Sequence, residues 1–280
     1  MKTAMEMNAK EKTKQHFNET AVNYNSSSNG KFVKPMYEVI LKEIQASESG
    51  KILDVGCGNG TLFTFLPDEK YELFGVDFSE NMIAEAKKGR ETRASFFVAD
   101  AEDLPFDREF FDILVCNASF HHYIHPNTVL EEMHRVLKDG GKLIIGDPYL
   151  PTVVRPIMNV LTKFSREGDY HFYGLSEMKK LLIKNGFIPL SSIRTGAHTA
   201  FYVAKKMLRY LTALRTKLIC ERSQQNGCGE SSNLPAMPEV RRENQNASKK
   251  HNGTEGLPPL LPKMQVRMPN CVRKQYNGRS

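Results

Sequence analysis

Several features that would take this chain out of the ordinary globular class are missing. No apolar run approaches the roughly 18 residues of a membrane-spanning helix, so no span is expected. The stretch Met1–Lys10 is polar and lacks the apolar core of a secretory signal. Cysteine is sparse: Cys57, Cys116, Cys220, Cys228 and Cys271 form no C-x-x-C pair and no cysteine–histidine metal spacing. That argues against a disulfide framework and a structural zinc, and the expectation is a reduced, cytoplasmic protein without a metal. No internal repeat is present, which argues against a solenoid.

What is present is 280 residues with 40% hydrophobic and 25% charged content. That suits one large domain, or one domain with extensions. The net charge of +7 is unevenly placed. Residues 207–280 carry 13 basic and 5 acidic side chains, leaving 26 basic and 27 acidic on residues 1–206. The body is thus nearly neutral and no nucleic-acid partner is expected for it.

Residues 1–30 are polar and read as a mobile N-terminal arm. Phe32, Met36, Val39, Ile40 and Ile44 then recur at helical spacing. From residue 51, short apolar runs alternate with amphipathic ones. Lys51–Val55, Glu72–Val76, Ser95–Val98, Asp112–Cys116 and Lys142–Ile145 are apolar enough to be buried on both faces, as parallel strands are. A helix is expected to follow Thr61, another to be capped by Ser79, and a third to be capped by Asn127 and ended by Gly140–Gly141. Residues 148–174, broken by Pro148, Pro151 and Pro156, read as a lid-like insertion with a short helix. A helix over Leu175–Asn185, capped by Ser176, precedes an antiparallel pair, Phe187–Thr195 and Ala197–Lys205. Residues 207–219 read as a possible further helix, and 220–280 as a basic, disordered tail. This order defines an α/β fold: a Rossmann-like doubly wound, mostly parallel sheet with a final antiparallel strand, over residues 31–206.

The main chemical signal is Asp54-Val55-Gly56-Cys57-Gly58-Asn59-Gly60, between a buried strand and the next helix. Glycines let the chain turn tightly and let a ligand approach the backbone. Asp77 ends the second strand, 21 residues after Gly56. A carboxylate there can accept hydrogen bonds from both hydroxyls of a ribose. Asp100 and Asn117 end the third and fourth strands on the same edge. The glycine spacing is G-x-G-x-G rather than G-x-G-x-x-G, and a pyrophosphate would sit poorly beside Asp54. A zwitterionic amino acid bearing a sulfonium suits the site better than a dinucleotide, although the glycine-rich turn alone leaves an NAD-type oxidoreductase open.

I-L-D-V-G-C-G-N-G, G-V-D-F-S-E-N-M, V-A-D-A-E-D-L-P-F, F-D-I-L-V-C-N-A-S-F-H-H and V-L-K-D-G-G-K-L-I-I occur in that order. Together they resemble the class I S-adenosylmethionine-dependent methyltransferases, in particular the type 11 family, which includes quinone and sterol methylation enzymes. The resemblance implies that Asp54, Gly56, Gly58 and Gly60 hold the methionine part of S-adenosyl-L-methionine. It implies that Asp77 binds the ribose and that Phe78 and Met82 pack the adenine. Asp100 and Ala101 would meet the adenine edge, Glu102 would neighbour it, and Asn117 would line the path to the sulfur. A non-catalytic S-adenosylmethionine-binding module would carry the same motifs.

The expected acceptor is a small, partly apolar molecule. Base-methylating enzymes use Asn/Asp-Pro-Pro-aromatic after the fourth strand, and here that place is Asn117-Ala118-Ser119-Phe120. His121 and His122 follow at the cleft mouth and are the candidate catalytic pair, one as base or orienting group and the other as loop support. Phe17 and Tyr24 from the arm, with Tyr149, Phe164, Tyr170, Phe172 and Tyr173 from the insertion, would form a lid.

Overall fold

The computed structural model describes residues 4–47, 49–67, 69–88, 93–162, 165, 167–195 and 198–208. The expected helix over 207–219 therefore falls almost wholly outside the described residues, as does the 220–280 tail; Met207 and Leu208 themselves are not helical.

Seven strands form one sheet: β1 (Gly50–Val55), β2 (Tyr71–Asp77), β3 (Ala94–Val98), β4 (Phe111–Asn117), β5 (Leu137–Pro148), β6 (Phe187–Thr195) and β7 (Thr199–Lys206). Their order is β3-β2-β1-β4-β5-β7-β6. The first five pair in parallel, while β7 runs antiparallel to β5 and to β6. The second hairpin strand starts at Thr199, two residues later than expected.

Residues alternate between the two faces of each central strand, and both faces are covered. Leu53, Val55, Leu114 and Cys116 pack with Val129, Leu130 and Met133 of α5 (Pro126–Val136) and Met178 and Leu182 of α7 (Leu175–Lys184). Ile52, Ile113 and Val115 pack instead with Ile40 and Ile44 of α3 (Met36–Gln45) and Ile83 of α4 (Glu80–Lys87). Each fully buried aliphatic side chain contributes about 1.5–3 kcal/mol, which is why the strands read as continuous apolar runs.

Local chemistry departs from the expected element ends in several places. Pro35 divides the expected 32–44 helix into α2 (Ser28–Val33) and α3. After the glycine loop the chain forms only a five-residue 3-10 segment, Thr61–Phe65, not an α-helix. Its end is too short to supply an α-helix dipole. Ser79 does cap α4, accepting from the Met82 N–H at 3.1 Å. For α5 the cap position is His125 and Pro126 opens the helix, since a first-turn residue needs no N–H. Asn127 instead accepts from Asn185 Nδ2 at 3.2 Å, at the end of α7. Gly140, at φ 74°, does not terminate a helix; it lies in β5, where the register with β4 jumps between Phe111 and Ile113. Gly174, rather than Ser176, precedes α7, and its N–H donates to Glu177 at 3.2 Å.

The first thirty residues contain α1 (Ala4–Thr20) and a 3-10 segment, Ala21–Ser26. Lys14 pairs with Glu80 at 2.6 Å, and Asn18 accepts from the Ser79 hydroxyl at 2.6 Å. The insertion carries α6 (Arg155–Leu161).

Candidate active site

Strand β1 sits between β2 and β4, so the chain winds to either side of it. The crevice at this reversal opens beyond the carboxyl ends of the strands. A cleft lies there, the usual place for a ligand in an open α/β sheet. Gly56, Gly58, Asp77, Phe78, Met82, Asp100, Ala101, Glu102, Asn117 and His122 line it. Asp54, Gly60 and His121 are brought to its surroundings but are not among the lining groups.

The glycine loop takes backbone values that side chains resist: φ is 77°, 53° and 70° at Gly56, Gly58 and Gly60. Asp77 organises this loop. Its Oδ2 accepts from the Gly58 N–H and its Oδ1 from the Ser79 N–H, both at 2.9 Å. Burial raises the Asp77 pKa, and these backbone donors oppose the rise. Asp54, behind the loop, is 3% exposed, and its Oδ1 has no hydrogen-bond partner among the described residues. Burial, then the charge of Asp77, pushes it up to about 8. Asn117 is buried with neither side-chain polar atom partnered among the described residues.

At the cleft's other wall Asp100 accepts from Lys10 of α1 at 2.7 Å, and Lys10 also meets Glu102 at 2.6 Å. Phe17 and Tyr24 line the cleft as well. Tyr149, Tyr170, Phe172 and Tyr173 do not line it; Phe172 stacks on His121 with ring centroids 5.6 Å apart, and Tyr149 and Tyr173 join the core. Phe164 is outside the described residues.

The histidine pair divides its roles. His121 is turned toward acids: Nδ1 lies 2.9 Å from Asp147 Oδ1 and Nε2 lies 3.4 Å from Asp169 Oδ1. Burial opposes its charge, yet the two carboxylates outweigh burial and raise its pKa to about 9. The His121 carbonyl accepts from the Tyr170 and His171 N–H groups at 2.9 and 3.0 Å, holding the insertion against this loop. His122 lines the cleft, its ring 5.3 Å from that of Phe17. Burial and the neighbouring His121 charge lower it to about 3.

Lys10, Lys14, Ser119, Tyr123 and Asp169 are parts of this region that were not among the expected site residues. Ser119 and Tyr123 carried a usable signal, lying just beyond the Asn117 strand end. Lys10 and Asp169 carried none, because the fold brings them from distant segments.

A mostly parallel sheet with a reversed-order crevice, a G-x-G-x-G loop and an acid ending β2 is the arrangement of the class I S-adenosylmethionine-dependent methyltransferase fold. Residues 53–145 match the type 11 methyltransferase family model, described as "Methyltransferase domain". The chain is 31% identical over 149 residues to a ubiquinone/menaquinone biosynthesis C-methyltransferase, UbiE, of Geobacter sp. strain M21, covering 50% of this chain and 59% of that one. It is 29% identical over 177 residues to the demethylmenaquinone methyltransferase of Staphylococcus aureus strain JH9, covering 53% and 72%. Among solved structures, the PH0226 protein of Pyrococcus horikoshii OT3 is 27% identical with a TM-score of 0.55, covering 67% of this chain and 95% of that one. The chain spans between two fifths and three fifths of the length of the first curated relatives it matches. Among the described residues, no helix is long and apolar enough to cross a membrane.

The residues present fit the cofactor of this class, S-adenosylmethionine. A buried carboxylate with an unpartnered oxygen is costly unless something positive meets it, and Asp54 is such a group beside the loop that would hold the cationic methionine part. At Gly58 a Cβ would meet nothing nearer than Met82 Sδ at 4.0 Å, so the backbone there is open to close approach.

Proposed function

We propose that the chain moves a methyl group from S-adenosylmethionine to a small, partly apolar acceptor by in-line displacement. The observation that carries this is one cleft bounded by the glycine loop, Asp77 and Asn117, with Asp54 beneath it, where Asp54 Oδ1 and both Asn117 side-chain polar atoms lack partners among the described residues. When bound, the cofactor supplies an electrophilic methyl on a sulfonium. In this reading Gly56, Gly58, Gly60 and Asp54 hold its methionine part and Asp77 the ribose. Phe78 and Met82 pack its adenine, and Asp100, Ala101 and Glu102 meet the adenine edge. Rate then comes mainly from alignment of the acceptor. His122, Phe17, Tyr24 and Tyr123 form that end of the cleft, with His122 orienting the acceptor. His121, tied to Asp147 and Asp169, is a positioning residue for it. The names of the curated relatives support an aromatic acceptor of quinol type. Titration of the full chain with S-adenosylhomocysteine and with NAD tests the cofactor assignment: the first is expected to bind and the second not, and the reverse result would overturn it.

Cofactor binding is expected to release a proton below about pH 8. Asp54, with a folded-state pKa of about 8, is protonated at neutral pH in the free protein. Positive charge brought beside it favours the carboxylate. The same shift sets a sign for stability. Between its unfolded value near 3.8 and about 8, the folded state holds a proton that the unfolded chain does not, so stability falls as pH rises through that window. The ligand's stabilising effect should therefore grow from pH 6 to 8. Calorimetry at pH 7 in two buffers of different ionisation enthalpy checks this; identical apparent enthalpies would refute it.

Among the described residues, every group lining the cleft lies between residues 10 and 123. Truncation after Ile219 is therefore expected to leave S-adenosylhomocysteine affinity unchanged, as read by the same titration. Loss of binding would make the tail part of the domain.

A further inference from the structure

We infer that His121, His122 and Asp169 form a binding site for one divalent transition-metal ion of the zinc type. One ligand atom from each of the three lies within 4.8 Å of the others. A tetrahedral zinc with bonds of about 2.1 Å has ligand atoms about 3.4 Å apart. His121 Nε2 and Asp169 Oδ1 are 3.4 Å apart, and His122 Nδ1 and Asp169 Oδ1 are 3.8 Å apart. Both separations are long for a charge-assisted hydrogen bond, which runs about 2.7–2.9 Å, and close to the edge of that tetrahedron. The His122 side chain is 8% exposed, and its Nδ1 has no hydrogen-bond partner among the described residues. A buried ring nitrogen left without a hydrogen bond and 3.8 Å from a carboxylate oxygen is a group that a shared cation would satisfy.

The groups behind the ligands are those a metal site requires. Asp147 accepts at His121 Nδ1, 2.9 Å away, which fixes the tautomer with its lone pair on Nε2. Ser165 donates to Asp169 Oδ2 at 2.8 Å, leaving Oδ1 for the two histidines. Gly168, at φ 78°, turns the chain immediately before Asp169. Two imidazoles and one carboxylate suit zinc and its neighbours better than calcium or magnesium, which prefer all-oxygen shells. The ion would clasp the insertion to the loop after β4, at the cleft wall that His122 lines.

The experiment uses the full chain, stripped with chelator and desalted. Zn²⁺ is titrated in competition with a chromophoric chelator, and Co²⁺ is added as a spectroscopic probe. The expected result is one tight equivalent in the wild type, with the visible bands of low-coordinate Co²⁺. Asp169→Ala and His122→Ala should each weaken that equivalent by at least about 100-fold, and Asp147→Asn by about 10- to 100-fold. His171→Ala, beside the site but outside the triad, should change nothing. S-adenosylhomocysteine binding by Asp169→Ala confirms that this variant is folded, and no step of the assay depends on methyl transfer. Equal affinity and stoichiometry in wild type and Asp169→Ala would overturn the site and leave His121 as an imidazolium bridging Asp147 and Asp169.

Discussion

Replacing Asp77 by Ala is expected to weaken S-adenosylhomocysteine binding by roughly 10²- to 10⁴-fold. Hydrogen bonds to a charged acceptor contribute about 1.5–3 kcal/mol each, and the carboxylate is assigned two from the ribose. The structure adds a further cost. The same two oxygens hold the Gly58 and Ser79 N–H groups, so their loss loosens the glycine loop and the start of α4 together. Asp77→Asn separates these effects, since the amide retains one acceptor oxygen and lacks the charge. It should bind more tightly than the Ala variant and more weakly than wild type. It should also lower the Asp54 pKa, because Asp77 is the charge that adds to burial there. The proton released on binding would then diminish at neutral pH. Calorimetric titration of both variants reads both outcomes; wild-type affinity in Asp77→Ala would remove this residue from the site.

Gly56→Ala is expected to damage the fold as well as the cleft. A Cβ at this position would stand 2.1 Å from Ser119 Oγ and 2.6 Å from Ser119 Cβ, on a backbone with φ of 77°. The left-handed conformation costs a non-glycine residue about 1–2 kcal/mol, and forced overpacking about 1–3 kcal/mol. At about 2–4 °C per kcal/mol for a domain of this size, thermal unfolding should drop by roughly 5–15 °C. Adding Ser119→Gly removes the clash but not the strain, so the double variant should recover part of the loss. Thermal scans of the two proteins decide it, and an unchanged midpoint in Gly56→Ala would contradict the loop geometry.

The sheet was legible because its strands are buried on both faces. Ile52-Leu53, Leu73-Phe74 and Ile113–Val115 can be read as strands without any tertiary information, and their polar ends then fall together at one edge. That is how Asp77, Asp100 and Asn117 were found. Element ends were less legible where a side chain had two possible uses. Asn127 has the chemistry of a cap, yet the fold spends it on Asn185. Gly140 has the chemistry of a helix stop, yet it serves an irregularity in β5. The helical form of residues 4–20 was not legible, since its first seventeen described residues are mostly polar. It meets the domain through Lys10, Lys14 and Asn18, by ion pairs and hydrogen bonds that leave no apolar stripe. Asp169 was invisible for a different reason: a lone acid in an irregular segment signals nothing until the fold sets it beside His121 and His122.

The central claim is methyl transfer to a small acceptor, and the most direct measurement is turnover of methyl-labelled S-adenosylmethionine by the full chain. The panel would be small phenols, quinols, amines and carboxylic acids, with and without added Zn²⁺. The account predicts label in at least one aromatic hydroxylated acceptor, with S-adenosylhomocysteine formed in equal amount. Tight binding of S-adenosylmethionine with the label retained on it across the whole panel would contradict the account and make the chain a binding module on a methyltransferase fold.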